Sequence, residues 1–152
     1  MKRTAVLPAL ILTLGLAVTG CGGGGDDKVT AEPTAAAAAL SKADFSSQAN
    51  AICATGTQTI DAASAALGDS TSSADIEAFV TETVIPSVQG QHDAIEALGA
   101  PAGDEDEVAA LLAALQTGID ALSADPAAIT TGSPFDEANQ LATAYGLTDC
   151  GA

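Results

Sequence analysis

The stretch DFSSQANAICATGTQTIDAASAAL, residues 44–67, decides the fold. Within it Phe45, Ala49, Ile52, Gly56, Ile60, Ala63 and Leu67 recur at spacings of three and four. Residues so spaced line one face of a 3.6-residue turn, so the spacing predicts a helix over 44–67. Ser41 or Asp44 can cap its start, and Gly68 stops it. Its only sulfur, Cys53, sits about 13 Å along the helix from Asp44 at 1.5 Å per residue.

Three further helical patterns follow. Over 74–98, Ile76, Phe79, Val80, Thr83, Val84, Val88, Ile95 and Leu98 form a stripe. Ser72 with Asp75 matches a capping box, and Gly99 and Pro101 end the pattern. Pro86 lies mid-helix, where it lacks a donor and its ring meets the preceding turn, so a kink or break is expected there. Over 104–123 the apolar face is Val108, Leu111, Leu112, Leu115, Ile119 and Leu122. Asp104, Glu105, Asp106 and Glu107 fill its first turn, where the helix dipole favours anions.

The fourth helix is short. Ser133, Pro134 and Asp136 read as cap, first turn and capping-box partner, with Phe135, Ala138, Leu141, Ala142 and Tyr145 inward. Gly146 then Leu147 has the form of a Schellman end. Asp125 and Pro126 begin a single turn between the third and fourth helices. No window alternates with period two, so no sheet is expected. Short connections make chain neighbours antiparallel. The reading is all-α: an up-down-up-down four-helix bundle over residues 44–152. Its apolar content is high at 47%, but aromatics are 3% and Trp is absent. An Ala-rich core gains little area per residue and needs a further source of stability.

Ahead of the bundle the chain changes character. Lys2 and Arg3 precede an apolar run over 5–18, too short for a comfortable span of about 20 residues. The run ends in Val18-Thr19-Gly20-Cys21. This segment resembles the lipobox of bacterial lipoproteins: an aliphatic residue, a small one, Gly or Ala, then Cys. The resemblance implies that signal peptidase II cuts between Gly20 and Cys21, removing residues 1–20. It implies a diacylglycerol on the Cys21 thiol and, in many cases, an acyl chain on the new amine. No other cofactor is expected. The implied location is the cell membrane, lipid-anchored, on its extracytoplasmic face, with two or three chains sufficing for stable attachment. More loosely, ANAIC at 49–53 and YGLTDCG at 145–151 are similar to segments of small actinobacterial-type helical lipoproteins. Residues 21–43 carry four consecutive glycines and then acidic, Pro and Ala residues, the composition of a flexible linker. About 20 such residues reach roughly 25 Å.

With Cys21 assigned to lipid, Cys53 and Cys150 remain as an even pair in an oxidising setting, which predicts a disulfide. In an alternating bundle the fourth helix ends near the start of the first, so its tail can reach Cys53. The absence of a C-x-x-C pattern argues against a redox pair or a metal site.

Removing residues 1–20 removes two of four cations and no carboxylate. Lys28 and Lys42 then face 20 Asp and Glu, a side-chain charge of −18. Such a body repels nucleic acid phosphates and anionic headgroups, so nucleic acid is excluded as a partner. Catalytic patterns are missing as well. There is one histidine, His92, at helical spacing from Glu96 with Asp93 alongside; this reads as a satisfied surface pair, and no metal site is expected. The Glu-x-x-His motif of di-iron bundles needs Glu at 89, where this chain has Gln89. One histidine leaves little for general-base work, so no enzyme and no catalytic residue is expected. The expected role is an interaction or structural module of the cell envelope, with an envelope protein or cell-wall partner. The alternative is a small-ligand carrier with a pocket between helices near Pro86, lined by Val84, Val88, Ile60 and Leu115.

Overall fold

The computed structural model describes residues 39–68 and 72–151. Those residues form helices α1 (Lys42–Leu67), α2 (Ser73–Phe79), α3 (Ile85–Leu98), α4 (Glu105–Ala124), α5 (Ala128–Thr131) and α6 (Asp136–Tyr145), with a π-helical turn at Val80–Val84 between α2 and α3. No strand occurs among the described residues. The regular structure of the described residues is all helical, and the disulfide Cys53–Cys150 joins two of them.

Local chemistry sets three of the helix ends. Ser41 starts α1 by accepting the Asp44 N–H on its hydroxyl at 3.2 Å. Ser72 and Asp75 form the expected capping box: the Asp75 N–H donates to the Ser72 hydroxyl, and the Ser72 N–H donates to the Asp75 carboxylate at 2.9 Å. The hydroxyl and N–H of Ser72 together hold the Asp75 carboxyl below its ordinary range. At the end of α6, Gly146 takes a left-handed φ of 102°. Its N–H reaches Thr143 and the Leu147 N–H reaches Ala142 at 2.8 Å, a complete Schellman motif with Leu147 fully buried.

Two expectations are corrected. Of the kink or break expected at Pro86, the break does not occur. Phe79, Val80, Val84 and Ile85 all hold right-handed helical dihedrals, and the Ile85 N–H bonds five residues back to Val80. One wide turn just before the proline relieves the ring's clash, so the chain stays helical from Ser73 to Leu98. The second correction concerns α6. Ser133 caps nothing; the helix begins at Asp136 with Phe135 as its uncapped leading residue. The Asp136 N–H instead closes a turn onto the Ser133 carbonyl. That turn lays the Phe135 ring on Gly118 of α4, where a side chain would overlap the ring and the Pro134 carbonyl.

Helix α1 packs on α3, α3 on α4, and α4 on α6, while the π turn touches both α1 and α4. The buried residues sort into two clusters. One joins the start of α1 (Phe45, Ala49, Cys53), the end of α3 (Ile95), the start of α4 (Val108, Leu111, Ala114), α6 (Ala138, Ala142, Tyr145) and Leu147 just beyond it. The other joins Val80, Val84 and Val88 to Ile119 and Leu122 at the far end of α4. The start of α1 thus meets the end of α3, which meets the start of α4. Only Phe45 and Tyr145 bring aromatic rings into the first cluster, edge to face with centroids 5.8 Å apart. Helix α4 is the one described helix long and apolar enough to cross a membrane by composition. Its buried face is committed to both clusters, as in the core helix of a folded domain.

Candidate functional site

The predicted lipidation residue Cys21 and its neighbour Gly20 lie outside the described residues. The predicted pair Cys53 and Cys150 is joined, with Cα atoms 5.0 Å apart and a sequence separation of 97. Around the bond, Asn50 fastens the tail to α1 from both sides. Its amide donates to the Gly146 carbonyl at 3.5 Å, and its oxygen accepts the Asp149 N–H at 3.0 Å. Asn50 carried no signal in sequence, because its partners lie 96 and 99 residues away.

A second long-range knot sits at the same end. Asp104 precedes α4 but makes no side-chain cap. Its carboxylate instead accepts the Tyr145 hydroxyl at 2.8 Å and pairs with the Lys42 ammonium at 3.3 Å. Lys42 also lies 4.0 Å over the Tyr145 ring and 3.6 Å from Glu107. The Tyr145 hydroxyl, then Lys42, holds the Asp104 carboxyl below its ordinary range. Burial, reinforced by Asp104, pushes the Tyr145 phenol far above its own. This knot ties the first residues of α1 to the start of α4 and the end of α6. Its ion pairs rest on an exposed Lys42 and contribute little alone; the buried ring beneath them holds the geometry.

The pocket expected from Val84, Val88, Ile60 and Leu115 is not formed by those residues. Val84 and Val88 are buried in the second cluster, with Ile60 and Leu115 packed against it. A concavity lies along the α1–α3 seam. It is an open groove of about 740 Å³ lined by Ala51, Ile52, Thr55, Gly56, Thr59, Glu82, Thr83, Pro86, Ser87, Gly90 and Gln91. Its form follows from small side chains. Gly56 lets Gln91 lie across α1, and the Ser87 hydroxyl donates to the Gly56 carbonyl at 3.3 Å. Thr55 and Thr59 turn their hydroxyls back onto α1 carbonyls, leaving their methyl groups for the groove. Helical periodicity points to large buried residues, whereas this groove owes its hollow to small ones, exposed at Ala51, Thr55, Thr59 and Gly90 and buried at Gly56.

His92, Asp93 and Glu96 stand together near the end of α3. The His92 Nδ1 is 3.1 Å from the Asp93 carboxylate, and Gln89 donates to the same oxygen at 2.7 Å. Gln89 first, then His92, holds the Asp93 carboxyl below its ordinary range.

No protein family, curated protein or solved structure matches this chain.

Proposed function

We propose that this chain is a lipoprotein of the cell envelope, anchored through Cys21 on the extracytoplasmic face, whose helical domain serves as a protein or cell-wall interaction module. One observation carries the reading: Lys2 and Arg3, the apolar run and Val18-Thr19-Gly20-Cys21 follow one another in the order and at the distances of a lipoprotein signal. The Cys53–Cys150 bond supports it, because such bonds persist in oxidising compartments. It also takes two of the three cysteines, so the box cysteine is the one outside the fold's own bond.

We read α1, the α2–α3 rod, α4 and α6 as the four members of an up-down-up-down bundle, with α5 as a connecting turn. The open groove along α1 and α3 supports the interaction reading over the carrier reading. A carrier encloses most of its ligand. This groove is open along the surface, and the residues that were to line an internal pocket are packed as core. No enzymatic step is proposed.

The test is Cys21→Ser. The variant should leave the membrane fraction and stay helical with its disulfide intact. Continued membrane association of the folded variant refutes the anchor. For the module, a photo-crosslinking side chain at Thr55 should capture a specific envelope component that one at Asp136 does not. Equal capture at both positions argues against the groove as the docking face.

A further inference from the structure

We propose that His92, Asp93 and Glu96 form a binding site for a divalent transition-metal ion of the zinc class. The ligand atoms of the three side chains all lie within 4.8 Å of one another. A tetrahedral zinc ion with bonds of about 2.0–2.2 Å needs its ligand atoms roughly 3.4 Å apart. The trio therefore has to close by about an ångström, which staggered rotamer changes in exposed carboxylates supply. Asp93 already stands 3.1 Å from the His92 Nδ1, and the exposed Glu96 is free to make that movement. The imidazole is not: the His92 side chain is only 14% exposed, so it offers a nitrogen in a fixed place. His92 and Glu96, four apart, share one helix face. Gln89 holds the third ligand from one turn earlier.

The position of the trio in its helix adds an electrostatic reason. The trio occupies the last two turns of α3, where the helix dipole is negative and cations are favoured. That last turn has no basic residue. Two carboxylates at the negative end of a helix, in a domain where Lys42 is the last Lys or Arg of the chain, form an unfavourable arrangement that a dication relieves. The imidazole sets the class of ion. Oxygen-only sets suit magnesium and calcium, and a nitrogen donor shifts preference to zinc, nickel and copper. Water completes the coordination on the solvent side. The inference does not depend on lipid anchoring.

The experiment is calorimetric titration of the intact chain in detergent with zinc chloride, beside calcium chloride. His92 is the only histidine, so its ring resonances in an NMR spectrum report the site alone. One zinc per chain should bind and shift those resonances, with no matching shift from calcium. His92→Ala should lower zinc affinity by roughly tenfold or more, since the softest ligand is gone. Glu96→Gln, an exposed substitution that leaves the fold intact, should weaken binding several-fold. No zinc-induced shift at millimolar metal, or equal affinity in wild type and His92→Ala, overturns the site. Unchanged affinity in Glu96→Gln overturns the three-ligand set.

Discussion

Replacing both Cys53 and Cys150 with alanine removes the bond that closes the fold on itself. Alanine is preferred to serine at 53, because that position is only 3% exposed and a buried hydroxyl adds its own penalty. The bond spans 97 residues of sequence. Chain-entropy arguments put the stabilisation from a loop that long at about 4.7 kcal/mol. Unfolding entropy near 2.1 cal/mol/K per residue, over a domain of roughly 110 residues, gives about 0.23 kcal/mol/K. The ratio is a fall in Tm of roughly 20 °C. The assay is thermal unfolding followed by far-ultraviolet circular dichroism, with wild type in oxidising and reducing buffer beside the double variant. Reduced wild type and the variant should melt together, well below oxidised wild type. The Asn50 contacts and buried Leu147 are common to all three samples, so they cancel. A fall smaller than roughly 5 °C refutes the idea that an Ala-rich core depends on loop closure.

Two glycines should respond with opposite signs. Gly118→Ala drives a methyl group into Phe135 and the Pro134 carbonyl and should cost a net ~1–2 kcal/mol despite better helix propensity. Gly90→Ala meets nothing within 4 Å and should stabilise by ~0.5–1 kcal/mol in denaturant titrations. Ser72→Ala removes the cap of α2 and should cost about 1 kcal/mol, with loss of protection confined to the start of α2 in hydrogen exchange. Asp104 and Tyr145 set two pH edges. Asp104 is lowered, so its contribution is present above the ordinary aspartate range near 3.9 and fades as acid reaches its folded value. Tyr145→Phe should move the acid-unfolding midpoint to higher pH. Tyr145 is raised, so its contribution is complete below the ordinary tyrosine range near 10 and is lost as pH climbs beyond it. As the only tyrosine, it should show phenolate absorbance only as the chain unfolds.

Much of the fold was legible. The stripes from Phe45, Ile76 and Val108 onward repeat at helical spacing, and the large residues in them are buried or half-buried. Ser72–Asp75 and Gly146–Leu147 are local motifs whose partners lie within five residues, so the sequence carries them whole. What failed needed distant partners. Ser133, Pro134 and Asp136 had the pattern of a cap, but Gly118 draws Phe135 over α4 and the helix starts later. Pro86 had the chemistry of a break, but Val80 and Ile85 absorb it in one wide turn. The Asp104–Tyr145 bond and the Asn50 clamp join residues 41 or more apart with no pattern between them. The groove lies at Pro86 as expected, but its lining was missed, because an outer hollow is defined by missing bulk at Ala51, Gly56 and Gly90.

Membrane attachment through Cys21 is the claim on which the functional reading rests. The direct measurement is the mass of the N-terminal peptide from protein extracted out of membranes. The account predicts a peptide beginning at Cys21 and carrying a diacylglycerol, with or without an added acyl chain. A peptide that begins elsewhere, or an unmodified Cys21 in membrane-extracted protein, contradicts it.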